Sequence, residues 1–141
     1  MRPAYVARIP IRWRDMDALG HLNNADYLTL FEQARTEWLL ALPEHAAIWN
    51  AEIGPVVAEA SIRYRRPIVH PATVVITLTM DPPRRSSVVF RYDVRTEAEP
   101  AVCCATGETT LVWVNYATGR PVSLPEALTA LLSTETSGDP L

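Results

Sequence analysis

The chain has 141 residues, 48% of them hydrophobic and 21% charged, with a net charge of −3, which suits one globular domain with a substantial core and excludes a disordered chain. The negative balance offers no electrostatic case for nucleic acid, and no apolar run approaches the roughly 20 residues that span a bilayer. Residues 1–13 hold no uninterrupted apolar stretch and do not read as a signal peptide, so the expectation is a cytoplasmic protein with a single domain over 1–133 and a disordered tail over 134–141.

Residues 5–13 predict a first strand, with Pro10 marking an edge or a bulge. A polar turn follows. Apolar residues then recur at Tyr27, Phe31, Ala34, Trp38, Leu39 and Leu42, in steps of three and four that match a helical period. Pro43 stops this long helix, because proline there would cost a helical hydrogen bond. A short second helix is expected within 44–52, ended by Gly54-Pro55.

Four strand-like runs come next. Residues 56–64 alternate, with Val56, Ala58, Ala60, Ile62 and Tyr64 expected on one face; 73–80 place Val74, Ile76, Leu78 and Met80 together. Residues 87–96 turn Val88, Phe90, Tyr92 and Val94 inward, and 102–115 place Glu108, Thr110, Val112 and Val114 on one side and Thr109, Leu111 and Trp113 on the other. Cys103 and Cys104 are adjacent, so a strand would point them to opposite faces; they cannot pair with each other and fit a reducing compartment. A final helix is expected over 125–132, with proline at an early helical position. The order suggests a long helix covered by one curved antiparallel sheet, an α+β fold whose last four strands form a meander.

Just before the long helix lie Asp15, Asp17, Gly20, His21, Asn23 and Asn24. No other segment sets so much polar chemistry against so apolar an element, and any active site is expected there. Residues 15–35, DMDALGHLNNADYLTLFEQAR, resemble the signature of the 4-hydroxybenzoyl-CoA thioesterase branch of the hot-dog fold superfamily, closest to acyl-CoA thioesterases with an aspartate followed by H-x-N-N-x-x-Y. Residues 64–68, YRRPI, and 106–125 resemble that family's later motifs.

The resemblance implies a long central helix wrapped by a five-stranded curved antiparallel sheet. It also implies a homodimer formed edge to edge, often a homotetramer, with active sites at the dimer interface. Its substrate is acyl-CoA, with coenzyme A as part of the substrate and no separate cofactor. Asp17 matches the family's catalytic aspartate, as nucleophile or general base, and Asn24 matches the residue whose backbone N–H meets the thioester oxygen.

The residues themselves agree with that chemistry. Thioester hydrolysis needs a base or nucleophile, water, and donors for the charge growing on the carbonyl oxygen. Asn23 is a good N-cap, expected to engage the N–H of Ala25 or Asp26 and leave the Asn24 N–H free at the positive end of the helix dipole. Gly20 allows a tight turn between carboxylate and helix. His21 and the Asn24 side chain could orient water or the acyl group. Asp15 reads as structural, and the aromatic stripe as core, with Tyr27 nearest the site and a candidate substrate contact. Among the arginines, Arg65, Arg66 and Arg85, with Ser87, are candidates for coenzyme A contacts.

Asp15, Asp17, Gly20 and Asp26 imitate the spacing of a calcium loop, but Leu19 occupies a ligand position and the twelfth residue is not glutamate, so no metal is expected. A thioester on an acyl carrier protein, or a module that binds acyl-CoA without hydrolysing it, are the alternatives. A hot-dog dehydratase would want a histidine on the long helix, and none lies between Asp26 and Leu42.

Overall fold

In a computed structural model of the protein, the structure describes residues 5–136. The first strand, β1, spans Tyr5–Pro10, and a single 3₁₀ turn follows at Trp13–Asp15. The long helix α1 runs Asp26–Leu40 and a one-turn helix α2 runs His45–Ile48. Strands β2 (Ile53–Tyr64), β3 (Thr73–Met80), β4 (Ser87–Thr96) and β5 (Ala105–Asn115) precede the last helix, α3 (Glu126–Thr136). Past Thr136 the expected tail lies outside the described residues.

The strands form one antiparallel sheet in the order β1-β3-β4-β5-β2. The expected five-stranded curved sheet is therefore present, but only β3, β4 and β5 make a meander. β2 does not fold back on β3; it pairs along its whole length with β5 at the far edge. The physical reason is the connection, residues 65–72. It holds Pro67 and Pro71, and its carbonyls at Ile68 and Ala72 accept from the N–H groups of Leu22 and Ile11. A segment committed to the loop before α1 cannot also close a two- to five-residue hairpin.

Two further expectations shift. β1 ends at Pro10 rather than continuing to Trp13, since proline offers no N–H to the ladder, and the chain turns through the 3₁₀ segment instead. In β2 the register jumps between Val57 and Glu59, a bulge at Ala58. The simple alternation from Val56 to Tyr64 is broken there: Val57, Ala60, Ile62 and Tyr64 lie opposite Leu111, Thr109, Gly107 and Ala105.

The α1 stripe Tyr27, Leu30, Phe31, Ala34, Trp38 and Leu39 is buried, facing Val74, Ile76, Leu78, Met80, Val88, Phe90, Tyr92, Val94, Leu111 and Trp113 from the sheet. Phe31 stacks on Tyr92 with ring centroids 4.1 Å apart, and Trp38 meets Phe90 edge-on at 5.8 Å. Gly107 makes the first contact possible, because a Cβ there would fall within the Phe31 ring.

The two sheet edges differ. β1 is six residues long and ends in proline, whereas β2 is twelve residues long, with Val56 and Val57 exposed.

Candidate active site

The loop between β1 and α1 is built by its own carboxylates. Asp15 turns back onto Arg12: its oxygens accept from the Arg12 backbone N–H at 2.8 Å and from the guanidinium at 2.8 and 3.1 Å. That guanidinium holds the Asp15 carboxyl below the usual carboxylate range. Asp15 therefore closes the 3₁₀ turn.

Asp17 organises the next turn. Its Oδ1 accepts from the N–H of Leu19 at 2.9 Å and of His21 at 3.4 Å, its own N–H donates to the His21 carbonyl, and its carbonyl accepts from Gly20. Gly20 sits at φ +82°, the left-handed region open to glycine, with no atom near where a side chain would begin. One carboxylate oxygen is thus anchored by backbone, while among the described residues Oδ2 accepts no hydrogen bond.

The helix start is held from within and from both sides. The Asn23 side chain accepts from the Ala25 N–H at 2.9 Å and the Asn23 carbonyl from the Asp26 N–H at 3.0 Å. The expected bond from the Ala25 N–H forms, but Asn23 is not the N-cap: it closes a turn ahead of the helix, whose N-cap position is Ala25, with no side chain capping it. The Asn23 N–H donates to the Asp15 carbonyl. On the opposite side the Tyr64 hydroxyl, at the end of β2, donates to the Asn24 carbonyl at 2.7 Å. Among the described residues the Asn24 N–H has no hydrogen-bond partner, and it stands at the positive end of α1.

These groups open on one cleft of 410 Å³. Asp17, His21, Asn24, Tyr27, Tyr64, Arg65 and Arg66 line it, with Leu19, Leu22 and Pro67 as apolar wall. Tyr27 is a core residue that also faces the cleft: it is 2% exposed, burial pushes its hydroxyl pKa up to about 12, and its ring meets Tyr64 edge-on at 5.0 Å. Arg65 and Arg66 both donate their backbone N–H to the Cys104 carbonyl, which leaves two exposed guanidinium groups at the rim.

Arg85 and Ser87 are not in this cleft within one chain. Ser87 begins β4, just after Arg85, and pairs with Val112, while the cleft lies by the Ala105 end of β5; seven residues of strand separate the two ends, roughly 23 Å. Tyr64 is the site residue that the spacing of motifs did not single out. It stood inside the quoted YRRPI run, but only the tertiary contact gives its hydroxyl a role. Among the described residues no group of three metal-ligating side chains occurs, and no helix is long and apolar enough to cross a membrane.

A long helix laid in a curved five-stranded sheet, with a carboxylate and a free N–H at the helix start, defines a hot-dog fold of thioesterase type. Residues 11–132 match the model of the thioesterase-like superfamily; the chain belongs to that superfamily and is a thioester hydrolase. The chain is similar to the PA2801 protein of Pseudomonas aeruginosa, a candidate thioesterase, with 36% identity over 93% of this chain and 99% of that one and a TM-score of 0.86. A candidate acyl-CoA thioesterase from Xanthomonas campestris shares 32% identity over 79% of this chain and 93% of its own, with a TM-score of 0.73. A thioesterase from Thermus thermophilus, solved with coenzyme A and Zn, shares 30% identity over 94% of this chain and 100% of its own, with a TM-score of 0.78. Among curated proteins nothing matches the sequence.

Proposed function

We propose that the protein hydrolyses acyl-CoA to a carboxylic acid and coenzyme A in the cleft at the start of α1. The observation that carries this reading is the pairing, in one cleft, of the Asp17 carboxylate with an unengaged Asn24 N–H at a helix N-terminus. The thioester carbonyl oxygen accepts from that N–H, so the negative charge that grows as the carbonyl carbon becomes tetrahedral meets both a donor and the positive end of the dipole.

Asp17 supplies the other half. As general base it takes a proton from water while the water oxygen bonds to the carbonyl carbon; the C–S bond then breaks and the thiolate of coenzyme A takes the proton. As nucleophile its free oxygen forms a mixed anhydride, releasing the thiolate, and water cleaves the anhydride. Both routes need the negative charge. His21 and the Asn24 side chain border the space in which water would be held, and Tyr27 and Tyr64 would flank the acyl end. Arg65 and Arg66, exposed at the rim of the cleft, would receive the coenzyme A phosphates, and the coenzyme A in the Thermus thermophilus relative supports that class of ligand.

The test is Asp17→Asn, assayed by thiol release over a panel of acyl-CoA substrates. The expected outcome is a loss in kcat of on the order of 10² or more, with fold and acyl-CoA binding retained. Asp15→Asn, which loosens the Arg12 turn, should lower turnover far less. Hydrolysis by Asp17→Asn within about threefold of wild type would move the search for the base to His21.

A further inference from the structure

The peptide that carries the Asn24 N–H, which runs from the Asn23 carbonyl, lies between two neighbouring peptides that are each clamped from outside. On the loop side the Asn23 N–H donates to the Asp15 carbonyl at 3.0 Å; on the sheet side the Tyr64 hydroxyl donates to the Asn24 carbonyl at 2.7 Å. Within the turn the Asp26 N–H holds the carbonyl of that same peptide and the Ala25 N–H holds the Asn23 side chain; neither bond reaches the sheet, whereas the Tyr64 bond to the next peptide does. Resting on the thioesterase reading above, we propose that Tyr64 is a positioning residue: its hydroxyl aims the Asn24 N–H at the thioester oxygen.

Three observations support the role. First, Tyr64 is itself well placed to act as a fixed post. Its ring packs edge-on against the buried Tyr27, and the two residues after it are tied by their N–H groups to the Cys104 carbonyl at 2.9 and 3.0 Å. Second, the contact joins residues 40 apart in sequence and reaches the turn just before α1 from the last residue of β2, so it sets a distance that neither element sets alone. Third, Tyr64 is 48% exposed. A phenol so close to water would find a partner there if the carbonyl were absent, so the bond adds little to stability and its value is in placement. Placement matters at such a site, because an oxyanion donor acts only when already aimed at the position the charge will occupy.

The experiment is Tyr64→Phe, which removes the oxygen and keeps the ring. Steady-state thiol release from acyl-CoA is measured alongside thermal unfolding and sedimentation. The expected result is a fall in kcat of roughly 3- to 12-fold, the factor of one neutral hydrogen bond, with KM within about twofold and with melting temperature and assembly unchanged. Tyr64→Leu, which also removes the ring from the cleft wall, should raise KM as well. A kcat for Tyr64→Phe within about 1.5-fold of wild type overturns the proposal; so does a loss that appears only together with lower melting temperature or altered assembly, which marks a merely structural tyrosine. A wild-type protein that releases no thiol from any acyl-CoA overturns the thioesterase reading and this proposal together. Full activity in Asp17→Asn beside reduced kcat in Tyr64→Phe overturns only the assignment of the base.

Discussion

Asp15 and Asp17 stand two positions apart and end up with different partners. Asp15 gives both oxygens to Arg12, and the ion pair and backbone bond leave it no capacity for chemistry. Asp17, which lines the cleft, commits one oxygen to backbone N–H groups, and its other accepts no hydrogen bond among the described residues. The arginines divide in the same manner. Arg12, Arg91 and Arg95 are bonded to carboxylates, whereas Arg65 and Arg66 are exposed at the cleft rim with no carboxylate within ion-pair distance among the described residues. If those two receive coenzyme A phosphates, Arg65→Ala and Arg66→Ala should each raise KM by several-fold while leaving kcat nearly intact, since phosphate contacts are made equally in ground and transition states. Steady-state kinetics on one good substrate reads this directly. An unchanged KM in both variants would return them to ordinary solvated charges.

The helix is useful only because the sheet lets it come close. Phe31 lies flat on Tyr92 and across Gly107, so the sheet is thin where α1 crosses β5. Tyr92 in turn shares a hydrogen bond of 2.7 Å with Thr109, the buried polar residue of the core, which keeps both hydroxyls satisfied. Gly107→Val should therefore act as overpacking: the new side chain meets a rigid ring rather than the tip of a flexible chain. The expected cost is about 1–3 kcal/mol, seen as a lower urea midpoint with an unchanged slope. A variant as stable as wild type would show that α1 can lift away from β5 without penalty.

At the scale of the whole molecule the unequal sheet edges carry the argument for assembly. A long edge strand with exposed valines is a liability that natural sheets cover. β1 is short and closed by proline, while β2 offers twelve residues, with Val56 and Val57 at its exposed flank. We expect two copies to join along β2, giving a sheet of twice the width, and sedimentation at micromolar concentration should report at least twice 15.7 kDa. Val57→Glu should shift the protein toward monomer by burying an unpaired charge at that edge. A wild-type monomer under those conditions would rule out a site shared between subunits. Within one chain Arg85 and Ser87 stand at the other end of the sheet from Asp17, so any contact they make with substrate has to come across such an interface.

Periodicity alone set the helix, the shared faces of β3 and β4 and the two faces of β5, because a repeat of 3.6 or of two is a local property; which face of β5 is buried was decided by the fold. The motif DMDALGHLNN likewise marked the loop that bears Asp17, Gly20 and Asn24, since a side-chain-closed turn and a left-handed glycine depend on near neighbours. What no local pattern holds is pairing between distant segments. The placement of β2 beside β5 follows from which backbone groups residues 65–72 have already engaged, and the bulge at Ala58 belongs to that distant pairing. By residue type Asp15 and Asp17 look equivalent; the motif match told them apart, and the physical reason, the bonds from Arg12 to Asp15, is seen only in the structure. Tyr64 reads in sequence as one more aromatic in a strand; its reach to Asn24 exists because the fold brings the end of β2 to the start of α1, and a contact across 40 residues is written in the tertiary structure alone.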